Sequence, residues 1–227
     1  MNLITPWNDE KEKGRMRRVK RDAILGVAAR AFCENGVRAT SLDDIAERLS
    51  ISKPTLYRYF RNKEEMLTEC IRKSVEMIDG AIAELAGEEH SSRDRLQAAL
   101  RRYAEIMTMD FGMCVVRIGE SELPPGSRRT LRAHERKTDR IIRNLIAECV
   151  EDGSVDVPDV RLAAFTILGA LNRICRWYNP SGPLSPQEIA DQCTRILFDG
   201  LASRAPRKTA ARRDRPVEQS RSKYLAD

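Results

Sequence analysis

Between Thr40 and Lys63 the chain reads TSLDDIAERLSISKPTLYRYFRNK. Lys53, Thr55, Tyr57, Arg58 and Tyr59 crowd into one short stretch, and each side chain ends in an N–H or O–H donor. Donors at this density, with no carboxylate or histidine among them, suit phosphate oxygens and base edges rather than proton transfer or nucleophilic attack. The chemistry they offer is recognition of a polyanion.

Such donors act together only if an element holds them at fixed angles. Ser52 followed by Pro54 in a first turn opens a helix expected over Lys53 to Phe60. Ahead of it, Ser41 and Asp44 form a capping-box pattern, and Ile45, Ala46 and Leu49 give a short second helix its buried stripe. A first helix starts at Asp22, carries Ile24, Val27, Ala28, Ala31 and Phe32 at helical spacing, and stops at Asn35-Gly36. Asn62 and Glu65 cap a longer fourth helix. The turn Ser50-Ile51-Ser52 makes helices two and three a helix-turn-helix. Its expected core is Phe32, Ile45, Leu49, Ile51, Leu56 and Phe60, which leaves Lys53, Thr55, Tyr57, Arg58 and Tyr59 facing outward. The N-terminal end of such a helix enters the major groove of duplex DNA, where basic groups release counterions and the other donors read base edges.

Charge follows the same division. Lys and Arg outnumber Asp and Glu in residues 1–63 and 204–227, whereas acids predominate in 64–203. A polyanion would meet the N-terminal part, with the acidic body turned away. Hydrophobic residues at 41% and charged residues at 33% describe a folding, well-solvated chain. No run of eighteen apolar residues spans a membrane, the N-terminus has no secretory-signal pattern, and the expected location is cytoplasmic. The six cysteines form no CxxC pair and read as small buried hydrophobes; His90 and His134, far apart, read as surface residues. There is no GxSxG, no phosphate-cradling glycine loop and no metal-ligand spacing, so catalytic residues, metal and cofactor are all expected to be none.

The expected fold class is all-α, with about nine helices. Residues 1–21, with seven basic residues between Lys11 and Arg21, read as a flexible basic arm; 22–66 as the helix-turn-helix domain; 67–203 as a helical ligand-binding and dimerisation domain; and 204–227 as a disordered basic tail. In the body, helices are expected at about 92–109, 112–120, 127–152, 159–178 and 186–203, separated by joints such as SELPPGS and NPSGPLSP. One short helix reads few base pairs, so a second copy at a palindromic half-site is expected. Helix 159–178, apolar on most sides, and the stripe Ile189, Cys193, Ile196, Leu197 and Gly200 of helix 186–203 would form the dimer surface. Tyr103, Met107, Phe111, Met113 and Phe165 could line a cavity, with Asn172 and Arg173 as its polar groups.

The segment AARAFCENGVRATSLDDIAERLSISKPTLYRYFRNKEEML closely resembles the N-terminal DNA-binding domain of the TetR family of transcriptional regulators. Phe32, Gly36, Thr40-Ser41, Ile45-Ala46, Ile51-Ser52, Thr55-Leu56-Tyr57, Phe60 and Lys63 carry the resemblance. It implies phosphate contacts by Ser41, Thr55, Tyr57, Tyr59 and Lys63, and an approach to bases by Lys53, Pro54 and Arg58. It also implies a homodimer through the last two helices, a double-stranded DNA operator, and a small hydrophobic effector that releases a repressor. The C-terminal text resembles members responding to acyl-CoA thioesters, for whose phosphates Arg128, Arg129, Arg173 and Arg176 are candidates. A dimeric regulator with no small-molecule effector, having a protein partner or a purely structural body, and a ligand-dependent activator remain alternatives.

Overall fold

The computed structural model describes residues 6–84 and 91–201, and no strand occurs among them. The helices are α1 (Pro6–Asn35), α2 (Leu42–Arg48), α3 (Lys53–Tyr57), α4 (Lys63–Glu84), α5 (Ser92–Ile106), α6 (Asp110–Arg117), α7 (Pro125–Glu151), α8 (Val160–Asn172), α9 (Ile174–Trp177) and α10 (Pro186–Asp199). A 3₁₀ turn, Glu120–Glu122, leads into α7. The all-α expectation holds. The tail 204–227, residues 1–5 and His90 lie outside the described residues.

Polar side chains set the starts of these helices. Ser41 with Asp44 and Ser185 with Glu188 close reciprocal capping boxes on α2 and α10, and the Asp159 carboxylate accepts the Arg161 and Leu162 amides at the start of α8. Gly36, at φ +81, ends α1 in the left-handed region that only glycine enters cheaply.

Three boundaries differ from the sequence expectation. α1 begins at Pro6, so residues 6–21 are helix and not an arm: Glu, Lys, Arg and Met carry almost no helix penalty, and an Arg15–Glu12 pair spans one turn. The lack of an apolar stripe leaves a segment without a core to face, but does not stop it from being helical. α3 closes at Tyr57 rather than Phe60, its last turn tightening as the Tyr59 and Phe60 amides both donate to the Leu56 carbonyl. The helix expected over 159–178 is interrupted at Arg173, where α8 ends and the short α9 carries the buried Ile174 and Cys175.

Two apolar clusters fill the interior. One joins Leu25, Phe32, Ile45, Leu56 and Phe60 to Met66, Leu67, Cys70 and Ile71 of α4, and reaches Cys114 and Leu131 in the body. The other gathers Ile78 of α4 with Leu100, Met107, Ile142, Ile146, Leu171 and Ile189. α4 therefore packs in both.

Candidate nucleic-acid interface and body cavity

The sequence of α2, turn and α3 fixes the aim of α3. Leu56 and Phe60 are fully buried, with Leu49, Ile51 and Tyr59 packed against them, so the helix is held from one side. The turn bends sharply at Ser50, whose φ of 52 is costly for a residue with a side chain. On the free side stand Lys53, Pro54, Tyr57 and Arg58, all exposed, with Thr55 half-buried. Lys53 is paired with Asp43 at 2.6 Å across the turn, and the Thr55 hydroxyl bonds Ser52 at 2.8 Å. Arg58 has no ion-pair partner among the described residues. Ser41 holds the α2 cap, accepting from the Asp44 amide at 3.1 Å.

Two expected contacts stand differently. Tyr59 is half-buried against the core rather than outward, so its ring anchors while its edge reaches solvent. Lys63 spends its ammonium on the protein, donating to the carbonyls of Val37 at 2.7 Å, Thr40 at 2.9 Å and Arg38 at 3.4 Å. With its two short bonds to Val37 and Thr40 it fastens the α1–α2 loop to α4, a structural role in place of the expected phosphate contact. Sequence reading missed Arg21, which donates to the Tyr59 carbonyl at 2.8 Å, lies 4.3 Å over the Phe60 ring and faces Glu65 and Glu69. It ties α1, the end of α3 and α4 at one point.

A cavity of about 440 Å³ lies in the body, walled by Ile78 of α4, Tyr103 and Met107 of α5, Val116 of α6, Leu131, His134 and Thr138 of α7, and Phe165, Leu168 and Asn172 of α8. The Tyr103 hydroxyl donates to Asn172 at 2.7 Å. Burial holds the Tyr103 phenol neutral far above its ordinary range. His134 is buried, against expectation: its Nδ1 lies 3.3 Å from Asp79 without a hydrogen bond among the described residues, and its Nε2 meets the Thr138 hydroxyl at 3.4 Å. Desolvation lowers its pKa; Asp79 opposes the shift and Lys137 reinforces it. Its place was legible: Leu131, His134, Thr138 and Ile142 fall on one helical stripe. Three carboxylates, Glu120, Glu135 and Asp139, also line the cavity. Partial desolvation, with the Glu120 charge, raises the pKa of Glu135, a residue that is otherwise exposed.

Of the expected cavity residues, Tyr103, Met107, Phe165 and Asn172 meet there. Phe111 instead packs on the first cluster, and Met113 is buried outside the cavity wall. Arg173 is exposed at the α8–α9 break. The stripe expected to make a dimer face on α10 also faces inward: Ile189 is buried, and Cys193 and Leu197 pack in the second cluster. Ile196 remains exposed.

Comparison with known proteins decides the family. Residues 24–70 match the domain described as bacterial regulatory proteins, tetR family, and residues 89–201 match the tetracyclin repressor-like C-terminal domain. A crystal structure of a TetR/AcrR-family transcriptional regulator from Thermobifida fusca YX-ER1 is 33% identical, covers 81% of this chain and 99% of its own, and superposes with a TM-score of 0.62. The chain belongs to the TetR family. It is a DNA-binding transcriptional regulator and not an enzyme. The HTH-type transcriptional repressor KstR2 of Rhodococcus jostii is 29% identical over 81% of this chain and 92% of its own. AibR, solved in complex with isovaleryl coenzyme A and operator DNA, is 25% identical with a TM-score of 0.66, covering 78% and 97%. In this TetR-family chain α8 leaves apolar surface open in the body: Leu162 is 63% and Phe165 49% exposed, and Gly169 and Ala170 continue the same face, while Trp177 of α9 and Ile196 of α10 are exposed as well.

Proposed function

We propose that this TetR-family protein is a homodimeric repressor of the cytoplasm that binds a palindromic operator through α3 and leaves it when a small, largely apolar effector fills the cavity. The observation carrying this reading is the composition of the cavity wall. Ile78 lies on α4, whose other half packs under the helix-turn-helix, and Val116 lies on α6, which is joined to α1 by the Arg30–Asp110 pair at 2.9 Å. A ligand pressing on these walls displaces the elements that set the direction of α3. It shifts the equilibrium only by its preference for the DNA-incompetent arrangement. Ser41, Lys53, Pro54, Thr55, Tyr57 and Arg58 are the assigned DNA contacts, with Tyr59 contributing only its solvent edge.

The open α8 face supports the dimer. Leu162, Phe165, Thr166, Gly169 and Ala170 recur at helical spacing, and the small residues admit a close partner helix; on α10, Ile196 is exposed as well. Phe165 serves both surfaces, so filling the cavity and seating the partner are linked. Repression is supported by the name of KstR2, and an acyl-CoA effector by the AibR complex. Within the cavity the chemistry favours an acyl or ring system rather than phosphates: its lining carboxylates repel them, Arg128 is occupied by the Glu120 and Leu123 carbonyls, and Arg129, Arg173 and Arg176 are exposed and outside the wall. A thioester would keep its nucleotide outside.

The test is selection of bound duplexes from a random library, followed by challenge of the complex with acyl-CoA thioesters, the matching free acids and neutral ring compounds. Release by one compound, lost when Tyr103→Phe and Asn172→Ala remove its polar contact, is the expected outcome. A selected site indifferent to every compound would leave the body without the effector role assigned to it.

A further inference from the structure

Ile24 is the first side chain of α1 described as buried, yet the helix begins at Pro6. About 27 Å of helix therefore precedes the first core residue. Helical spacing places Lys13, Met16, Arg17 and Lys20 on one face, and this face is set opposite Arg58 and Tyr59 of the recognition segment across an open groove of about 450 Å³. No carboxylate of the described residues lines the groove. Arginines elsewhere are partly neutralised: Arg21, Arg30, Arg48, Arg72, Arg95 and Arg101 each meet an Asp or Glu, whereas others, such as Arg38, Arg61 and Arg129, have no such ion pair among the described residues. Among the described residues, Arg17, Lys20 and Arg58 have none either. Converging like charges repel and gain nothing from one another, and a chain of phosphates relieves that repulsion.

We propose that this groove is a second DNA site, in which the overhanging turns of α1 clamp the sugar–phosphate backbone beside the segment read by α3. Arg17, Lys20 and Arg58 hold successive phosphates from two sides, and Met16 and Tyr59 give the deoxyribose an apolar floor. The clamp is sequence-independent and rigid, because its cations stand on a helix and not on a tail. It rests on the reading that α3 enters the major groove, since Arg58 and Tyr59 belong to both surfaces.

The experiment measures binding of a labelled mixed-sequence DNA duplex by the full chain between about 50 and 200 mM salt. Arg17→Ala/Lys20→Ala, both at exposed positions, is compared with wild type and with Lys53→Ala/Tyr57→Ala. The proposal expects the slope of log affinity against log salt to fall by about 0.9 per cation removed in each protomer. It also expects the preference for a selected operator over mixed sequence to be unchanged. An unaltered slope in Arg17→Ala/Lys20→Ala beside a weakened Lys53→Ala/Tyr57→Ala would overturn the clamp and leave the recognition helix standing. Unaltered binding in both variants would overturn the reading of α3 as well.

Discussion

Lys63 stands in the first turn of α4, where a cation opposes the helix dipole, and three carbonyls of the α1–α2 loop compensate it. Resemblance suggests a phosphate contact for this lysine; geometry gives it a structural one. The two roles separate by experiment. Lys63→Ala should lower stability by about 1–3 kcal/mol in urea unfolding, because the loop carbonyls lose a charged donor, and should leave the salt dependence of DNA binding as it is. A slope reduced by about 0.9 with stability intact would return Lys63 to the phosphates. Arg21 illustrates the same lesson from the other side. In the sequence it is one more charge in a basic stretch, whereas in the fold it fixes the end of α3 against α4.

At the scale of elements, α4 and α7 meet directly through Asp79, His134 and Lys137. His134 has a folded pKa below its ordinary value of about 6.5, so the unfolded chain binds the proton more readily. Its neutral form favours the fold above that value, and the contribution is lost as pH falls through it. Melting temperature should drop more steeply between about pH 7 and 5 for the wild type than for His134→Gln, and parallel curves would show that this contact does not govern acid sensitivity. What the sequence made legible at this scale followed from local chemistry. Ser41, Asp44, Asn62 and Glu65 announced their caps, and Phe32, Ile45, Leu56 and Phe60 their core, because both depend on neighbours within a few residues. The misses came from long-range packing. The inward stripe of α10 is apolar because α5 covers it, and no periodicity distinguishes that cover from a partner subunit. Hydrophobicity or polarity alone assigns Phe111 and Arg173 to the cavity, whereas the corner at Asp110 and the break at Arg173 decide where they sit.

For the whole molecule, two copies of α3 must sit about one helical turn of DNA apart, at roughly 34 Å, if a palindrome is to be read. In the proposed homodimer the α8 and α10 surface sets that spacing. The direct measurement is sedimentation equilibrium of the full chain, alone and with its selected duplex, for wild type and for Leu162→Glu/Ile196→Glu, whose substituted residues are exposed in the single chain. The wild type should sediment as a dimer and bind one duplex per dimer. The variant should remain folded, become monomeric and lose the palindromic site at least tenfold in affinity, which corresponds to about 1.4 kcal/mol. A variant that stays dimeric, or a wild type that binds the selected site as a monomer, would contradict the dimeric reading of the operator.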